Sequence, residues 1–542
     1  MTDDEDSSGD ELLVSRRDAL RAWAAAAAVG VAGATLPEQV AAQEYNDSGV
    51  TINEIWTEVL SRLPDNWGKW GDDDEIGTLN YLDGRQAFRG MQAAMRGPPD
   101  GIEVFTLQPA YSGDVIPTPD EGDASTVGDP VFPTRQPARR DQVVDDRHYE
   151  QGIVEPLVGG MKFSDDAFVT RLFLQGSTQL DALAHVWYDT RKRAGQEGLA
   201  DEREGLLYNG YPASTLSTPH EYERPVDGLR PVSDPDNDPT TDPGSAESAG
   251  PFNTDLEAVD VERTFEAARN GAAKQADHGE VGRAVFLDVG RNGPDDLERS
   301  AVDDTRLAQG EAVTLEDLEA TAEAQGVEIR QRDILLIRMG GTEKAKDPDA
   351  VWTTNEPGLT FSQDLIEFID EMEIPIVGAD CLAVEKLVST IDPLEDLHDG
   401  PRAAVEDELG VTLDEPFDVT NANHPALITN LGLPVHEIFL FDDLAESCEQ
   451  DGVYSMLYVG APLKITGGDG APINPTVVKA SRPAEDGGGN GDEDDEDGDE
   501  DDDENRDDDR GDGDRPDGGP TGPGGGDGDR PWWWDEDDED DD

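Results

Sequence analysis

Apolar and polar positions follow two rhythms through the middle of the chain. Residues 284–289, 334–337 and 374–377 are short apolar runs, the pattern of buried strands. Residues 315–325 and 362–372, between them, repeat apolar positions at helical spacing. Thr314 followed by Asp317 adds a capping box at the start of the first helix. Residues 168–174 are rich in apolar and β-branched types and predict a further strand. Strand and helix patterns in alternation place the chain in the α/β class. The pattern begins near Ile55 and ends by Lys479.

Two stretches interrupt it. Residues 112–146 and 225–251 are rich in Pro, Asp and Gly, and read as solvated loop insertions. The second is read as a decorated loop rather than a lid. Residues 483–542 hold Gly, Asp, Glu and Pro with no apolar period, and are expected to be a disordered acidic tail. Trp532, Trp533 and Trp534 stand out there, but nothing identifies a partner for them. At the other end, residues 1–14 are acidic and expected to be disordered. Ser15-Arg16-Arg17-Asp18-Ala19-Leu20 resembles a twin-arginine export signal, and residues 22–34 form an apolar run too short for a bilayer. Residues 1–45 are therefore read as a signal region, and the expected location is extracellular or at the cell surface. Cleavage near Ala41-Ala42 and retention as an anchor both fit. No other run reaches transmembrane length, so a soluble mature chain is expected.

The charge changes the picture further. The formal net charge is −83, and only nine of the 41 basic residues are lysine. The tail, residues 483–542, accounts for −26 of that, so −57 resides elsewhere. An acidic, lysine-poor surface of this kind reads as halophilic, because salt screens its self-repulsion. Nucleic-acid binding is excluded for want of a basic stripe. Cys381 and Cys448 sit in unrelated contexts without metal-ligand spacing and are expected as free, partly buried thiols.

Candidate chemistry concentrates in Gln175-Gly176-Ser177-Thr178-Gln179-Leu180-Asp181-Ala182-Leu183-Ala184-His185. Gln179 and Asp181 share a face if the chain is extended, and Asp181 and His185 share one if it turns helical. Such a strand-to-helix corner can aim several polar groups at one point. The chain has only seven histidines: His148, His185, His220, His278, His398, His424 and His436. A site of four or five imidazoles is therefore not available. His148 and His220 border the insertions and are expected to be solvated.

This segment resembles the signature of the cyclase family of metal-dependent hydrolases, which includes bacterial kynurenine formamidases. That signature reads His-x-Gly-Thr-His-x-Asp-x-Pro-x-His. Thr178, Asp181 and His185 match it. Gln175 and Gln179 stand at its two leading histidines, Ser177 at the glycine and Leu183 at the proline. Asn66-Trp67-Gly68-Lys69-Trp70-Gly71 through Gly77-Thr78-Leu79-Asn80, Tyr208-Asn209-Gly210-Tyr211, Gly282 to Val289 and Arg332 to Arg338 also resemble family motifs, in family order. So do Gly378-Ala379-Asp380 with Ala383-Val384-Glu385, and His424-Pro425-Ala426-Leu427 through Gly432-Leu433-Pro434 to Glu437. The resemblance spans residues 55–478 and implies a β/β/α fold with a barrel-like mixed sheet.

It also implies roles. His185 becomes the general acid/base. Asp181, with Gln175, Gln179, His424 and Glu437, becomes the ligand set of a divalent metal: Mn²⁺, Mg²⁺ or Zn²⁺. Thr178 and Asp380 are the candidate substrate contacts. The activity implied is hydrolysis of a C–N bond other than a peptide bond in a small molecule: an amide, a formamide, or a cyclic amide or ester. A homo-oligomer is expected, and no protein partner is identifiable. Three readings fit the residues: a metal-assisted hydrolase, a metal-free hydrolase in which Asp181 orients His185, and a non-catalytic ligand-binding or surface protein that keeps the fold.

Overall fold

Nine strands make one mixed sheet: β1 (Ile102–Thr106), β2 (Gln179–Asp181), β3 (Glu280–Asp288), β4 (Ile334–Arg338), β5 (Val377–Ala379), β6 (Val435–Glu437), β7 (Ser455–Gly460), β8 (Gly470–Pro472) and β9 (Thr476–Ala480). Their order is β1-β9-β7-β3-β4-β5-β6-β2-β8. The central run β3-β4-β5-β6 is parallel. The flanking pairs are antiparallel. The computed structural model describes residues 44–46, 48–96, 101–111, 138, 140–168, 172–190, 204–225, 259–343 and 356–481.

The sheet curls into a half-barrel. Tyr458 is on β7 and His436 on β6, with three strands between them. Strands lie about 4.8 Å apart, so a flat sheet would separate the two by about 19 Å. Tyr458 Oη and His436 Nδ1 are 3.2 Å apart. Along the central strands the residues alternate between two buried cores. Ala284, Phe286, Ile334 and Leu336 face the inside with Phe439, Phe441 and Tyr458. Val285, Leu287, Leu335 and Ile337 face the outside with Val377 and Val435. Strands buried on both faces read as unbroken apolar runs, which is why β3 and β4 were visible in the sequence.

Helices cover the outer face. Helix α1 (Ile52–Leu60) contributes Ile55 and Val59, α2 (Leu315–Ala324) Leu318 and Ala322, α3 (Gln363–Glu371) Leu365, Ile366 and Ile369, and α4 (Asp399–Leu409) Val405. Helix α5 (Asp442–Asp451) closes the inner core with Leu444, Ala445 and Cys448. Each buried Leu, Ile or Val among these contributes roughly 1.5–3 kcal/mol on burial. The helix starts follow local chemistry. Thr51 and Glu54 form a reciprocal cap on α1, and Thr314 and Asp317 form the expected one on α2.

Several expectations need correcting. No strand runs over residues 172–174; the strand there is Asp165–Phe168, and residues 174–178 turn and bend before β2. The insertion expected over residues 112–146 ends earlier. Residues 140–144 pair with Asp165–Phe168, with Val143 and Val144 buried. The second insertion joins two long antiparallel arms, Thr218–Pro225 and Val259–Glu266, and residues 226–258 lie outside the described residues. His148 is buried rather than solvated, because Asp145 N–H donates to its Nδ1 at the start of a short helix. His220 is half-buried beside Glu266. Both cysteines are free and fully buried. The export signal and the acidic tail lie outside the described residues. Among the described residues, no helix is long and apolar enough to cross a membrane.

Candidate active site

The β2/β6 register assembles the site. Glu437 lies directly opposite Gln179, and Val435 opposite Asp181. Gln179 and Asp181, two apart on an extended strand, share the face that Glu437 occupies. Gln179 Nε2 donates to Glu437 Oε2 at 2.6 Å and lies 3.2 Å from Asp181 Oδ1. The chain leaves β2 through a turn closed by His185 N–H on Ala182 O. That turn brings His185 back over Asp181, its Nε2 3.5 Å from Asp181 Oδ2. Gln175 bridges the two: its Nε2 lies 3.0 Å from Asp181 Oδ1 and 2.7 Å from His185 Nδ1. A Cβ on Gly470 would sit 2.8 Å from that amide, so the glycine on β8 makes room for Gln175.

His424 stands at the N-cap of a π-helix, Pro425–Leu431. Its Nε2 lies 3.2 Å from Glu437 Oε1 and 3.8 Å from Asp181 Oδ2. Its Nδ1 contacts Glu385 Oε1. Glu385 also accepts the backbone N–H groups of Asn423, at 2.6 Å, and His424, at 3.0 Å. Burial alone would lower the His424 pKa, but the carboxylates of Glu385 and Glu437 outweigh it and hold it well above the ordinary imidazole value. Two β-branched residues adjoin these glutamates in the left-handed region: Val384 (φ 57°) and Ile438 (φ 59°). Such a conformation costs of order 1–3 kcal/mol at each residue and persists only where the surroundings impose it.

A divalent cation fits these residues. Asp181 Oδ2, His424 Nε2 and Glu437 Oε1 converge, and one ligand atom from each lies within 4.8 Å of the others. Cation–ligand bonds of about 2.1–2.2 Å at right-angled to tetrahedral geometry require ligand atoms about 3.0–3.6 Å apart. Three buried carboxylates, those of Asp181, Glu385 and Glu437, meet one imidazole there, which leaves an anionic excess that a cation would offset. Gln179 Oε1 is buried and makes no hydrogen bond among the described residues. The two glutamines present nitrogen to Asp181, because a carboxylate only accepts. They support its carboxylate as the site stands. A second cluster, Asp364, Glu367 and His398, is on the surface, where His398 Nε2 pairs with Asp364 at 2.7 Å.

Thr178 and Asp380, expected at the substrate, are both fully buried and bonded to backbone. Thr178 Oγ1 donates to Ile438 O at 2.6 Å. Asp380 accepts the N–H groups of Met339 (2.8 Å) and Gly340 (2.7 Å). Burial, reinforced by Glu343 and opposed by Arg338, raises the Asp380 pKa to about 7. Its neighbour Arg338 is itself buried, gripping Glu343 through Nε and Nη2 and Asp288 through Nη1. Sequence reasoning did not single out Glu385, which lies 39 residues before His424; only its place in an ordered motif marked it.

Comparison with known proteins adds a family. The family model "Putative cyclase" matches residues 124–386. The match to that family covers just under half of the chain. Among solved structures, a crystal structure of a novel cyclase is 24% identical, covering 76% of this chain and 97% of its own, with a TM-score of 0.48. Isatin hydrolase A from Labrenzia aggregata, bound to benzyl benzoate, is 14% identical, covering 70% and 95%, at 0.32. A predicted metal-dependent hydrolase from Bacillus stearothermophilus is 11% identical, covering 70% and 98%, at 0.27. No curated protein matches the chain. Against the family signature, this chain differs at Gln175 and Gln179, and both side chains lie within the site just described.

Proposed function

We propose that the chain is a hydrolase of small-molecule C–N bonds (amides, formamides or cyclic amides) assisted by one divalent cation. The observation that carries this reading is the convergence of Asp181, His424 and Glu437 beside His185. His185 retains 12% side-chain exposure, while Asp181 retains 1%. Two carboxylates with one imidazole favour Mn²⁺ or Mg²⁺ over Zn²⁺. When bound, such a cation polarises a carbonyl and lowers the pKa of water.

The chain's own groups do the rest. Gln175 N–H donates to His185 Nδ1, so a neutral ring carries its proton on Nε2. That nitrogen faces Asp181, and the ring gives a proton to a leaving nitrogen only after it has taken one from the attacking water, passing through imidazolium and returning to neutral. Gln179 locks the Glu437 carboxylate in place across the strand pair. A second reading, without metal, is favoured by one observation: both glutamines give N–H to Asp181 Oδ1. In it, Asp181 orients His185 and water attacks directly. Export by the twin-arginine route and homo-oligomerisation are further proposals, tested by cell fractionation and by light scattering.

The test uses full-length protein purified in molar KCl. N-formylanilines, isatin and lactones are screened with and without Mn²⁺, for the wild type and for Glu437→Gln. Metal-stimulated turnover that Glu437→Gln abolishes supports the first reading. Turnover indifferent to chelator and to Glu437→Gln selects the second. No turnover on any substrate, with ligand binding retained, would replace both with a binding protein.

A further inference from the structure

The two strained residues and the two glutamates form one device. We infer that Glu385 is a positioning residue for His424, and that the left-handed backbone at Val384 and Ile438 holds Glu385 and Glu437 on either side of that imidazole. This rests on the metal-site reading above and deepens it.

Glu385 is fully buried, yet among the described residues its charge meets no cationic side chain other than His424. It takes Nδ1 and two backbone N–H groups at the entry to the π-helix, so ring and backbone of His424 are fixed together. An acid on Nδ1 commits Nε2 to face Glu437 and Asp181, which sets the tautomer and aim of a ligand histidine. The strained segments are tied down separately. Leu359 N–H donates to Val384 O, and Gly358 approaches Glu385 so closely that a Cβ would lie 2.2 Å from its carbonyl carbon. Ile438 N–H donates to Cys381 O, and Ile438 O accepts Thr178 Oγ1. Thr178 therefore acts through Ile438. A β-branched residue is a poor choice at positive φ, where glycine is free. Two of them, one beside each glutamate bracketing the same imidazole, mark a geometry that the surrounding contacts impose.

The test compares full-length wild type, Glu385→Gln, Val384→Gly and Ile438→Gly in molar KCl. Three quantities are read: Mn²⁺ affinity by calorimetry, thermal midpoint, and amide hydrogen exchange at Asn423 and His424. Glu385→Gln should weaken Mn²⁺ binding about 10–100-fold. Each glycine variant should weaken it per folded molecule; the midpoint is read beside it, because both side chains are fully buried and the cavity they leave opposes the relief of strain. Exchange at Asn423 and His424 should quicken at least about tenfold in Val384→Gly. A role that is only structural would lower the midpoint and leave the affinity per folded molecule unchanged, which would overturn the inference. If the wild type binds no Mn²⁺, the metal reading fails and exchange alone decides. Exchange that quickens at Asn423 and His424 more than in the rest of the backbone of Val384→Gly keeps the clamp, and exchange that is unchanged or raised equally everywhere removes it.

Discussion

Gln179 Nε2 donates to Glu437 Oε2 at 2.6 Å across the antiparallel pair β2/β6, where the two residues stand directly opposite. The bond joins the signature segment to a strand 258 residues later. It also shows what a glutamine does at a position where family members carry a ligand histidine. Its nitrogen steadies the Glu437 carboxylate, and its oxygen is left buried without a hydrogen bond among the described residues.

Replacing both glutamines, Gln175→His with Gln179→His, should raise Zn²⁺ affinity by at least about tenfold, because imidazole is the stronger ligand for that ion. Gly470 already leaves room beside position 175. Calorimetry and elemental analysis of wild type and double variant read the change. Equal Zn²⁺ affinity in the two proteins would mean that these side chains do not point at the cation position.

His185→Ala should cost about 10²–10⁴-fold in turnover, the usual range for an acid/base group. The fold should survive, because the turn at residues 182–185 is closed by backbone. Circular dichroism and the thermal midpoint check the fold, and turnover on the substrate found by screening checks the chemistry. Unaltered turnover would remove His185 from the mechanism.

The sheet and the signature were legible for a physical reason. Strands buried on both faces must be apolar throughout, so residues 284–289 and 334–337 stood out. The cap at Thr314 was local and therefore readable. Gln175, Gln179, Asp181 and His185 were adjacent in sequence and meet in space. His424 and Glu437 joined them only through family order, because their approach depends on strand register, which sequence spacing does not encode. The burial of Thr178 and Asp380 was not legible for the same reason. Their partners, Ile438 O and the N–H groups of Met339 and Gly340, are backbone groups supplied by distant segments. His148 misled because it borders a Pro- and Asp-rich stretch, yet it caps a helix of its own.

Asp333 should give stability an inverse dependence on pH between about 4 and 6. It is fully buried against Arg283, and burial raises its pKa to about 6 despite that guanidinium. Burial also pushes Arg283 down, so desolvation outweighs the attraction for both partners. A folded pKa above the unfolded one means that the native state holds a proton the unfolded chain has released. The contribution is fully favourable below about pH 4 and lost as pH rises through about 6. The penalty above that amounts to about 3 kcal/mol at most. Urea unfolding of wild type and Asp333→Asn at pH 4.5 and pH 7, in molar KCl, isolates it. The wild type should lose stability relative to the variant at the higher pH. A constant gap would show that Asp333 is ionised throughout.

Stability should rise with salt, and most of the rise should survive removal of residues 483–542. The charge outside that tail is −57. Its arrangement is visible on α2, where Glu316, Glu319 and Glu323 are all exposed on neighbouring turns. Like charges at such spacings each cost a few tenths of a kcal/mol when unscreened. The screening length falls from about 10 Å at 0.1 M to about 3 Å at 1 M salt, which is shorter than the gap between neighbouring carboxylates on a helix. Thermal melts of full-length and truncated protein from 0.1 to 3 M KCl measure both slopes. A truncated protein that keeps more than half of the slope places the salt requirement in the folded surface. A slope that vanishes with the tail would place it in residues 483–542 and leave the acidic faces of the helices without effect on stability.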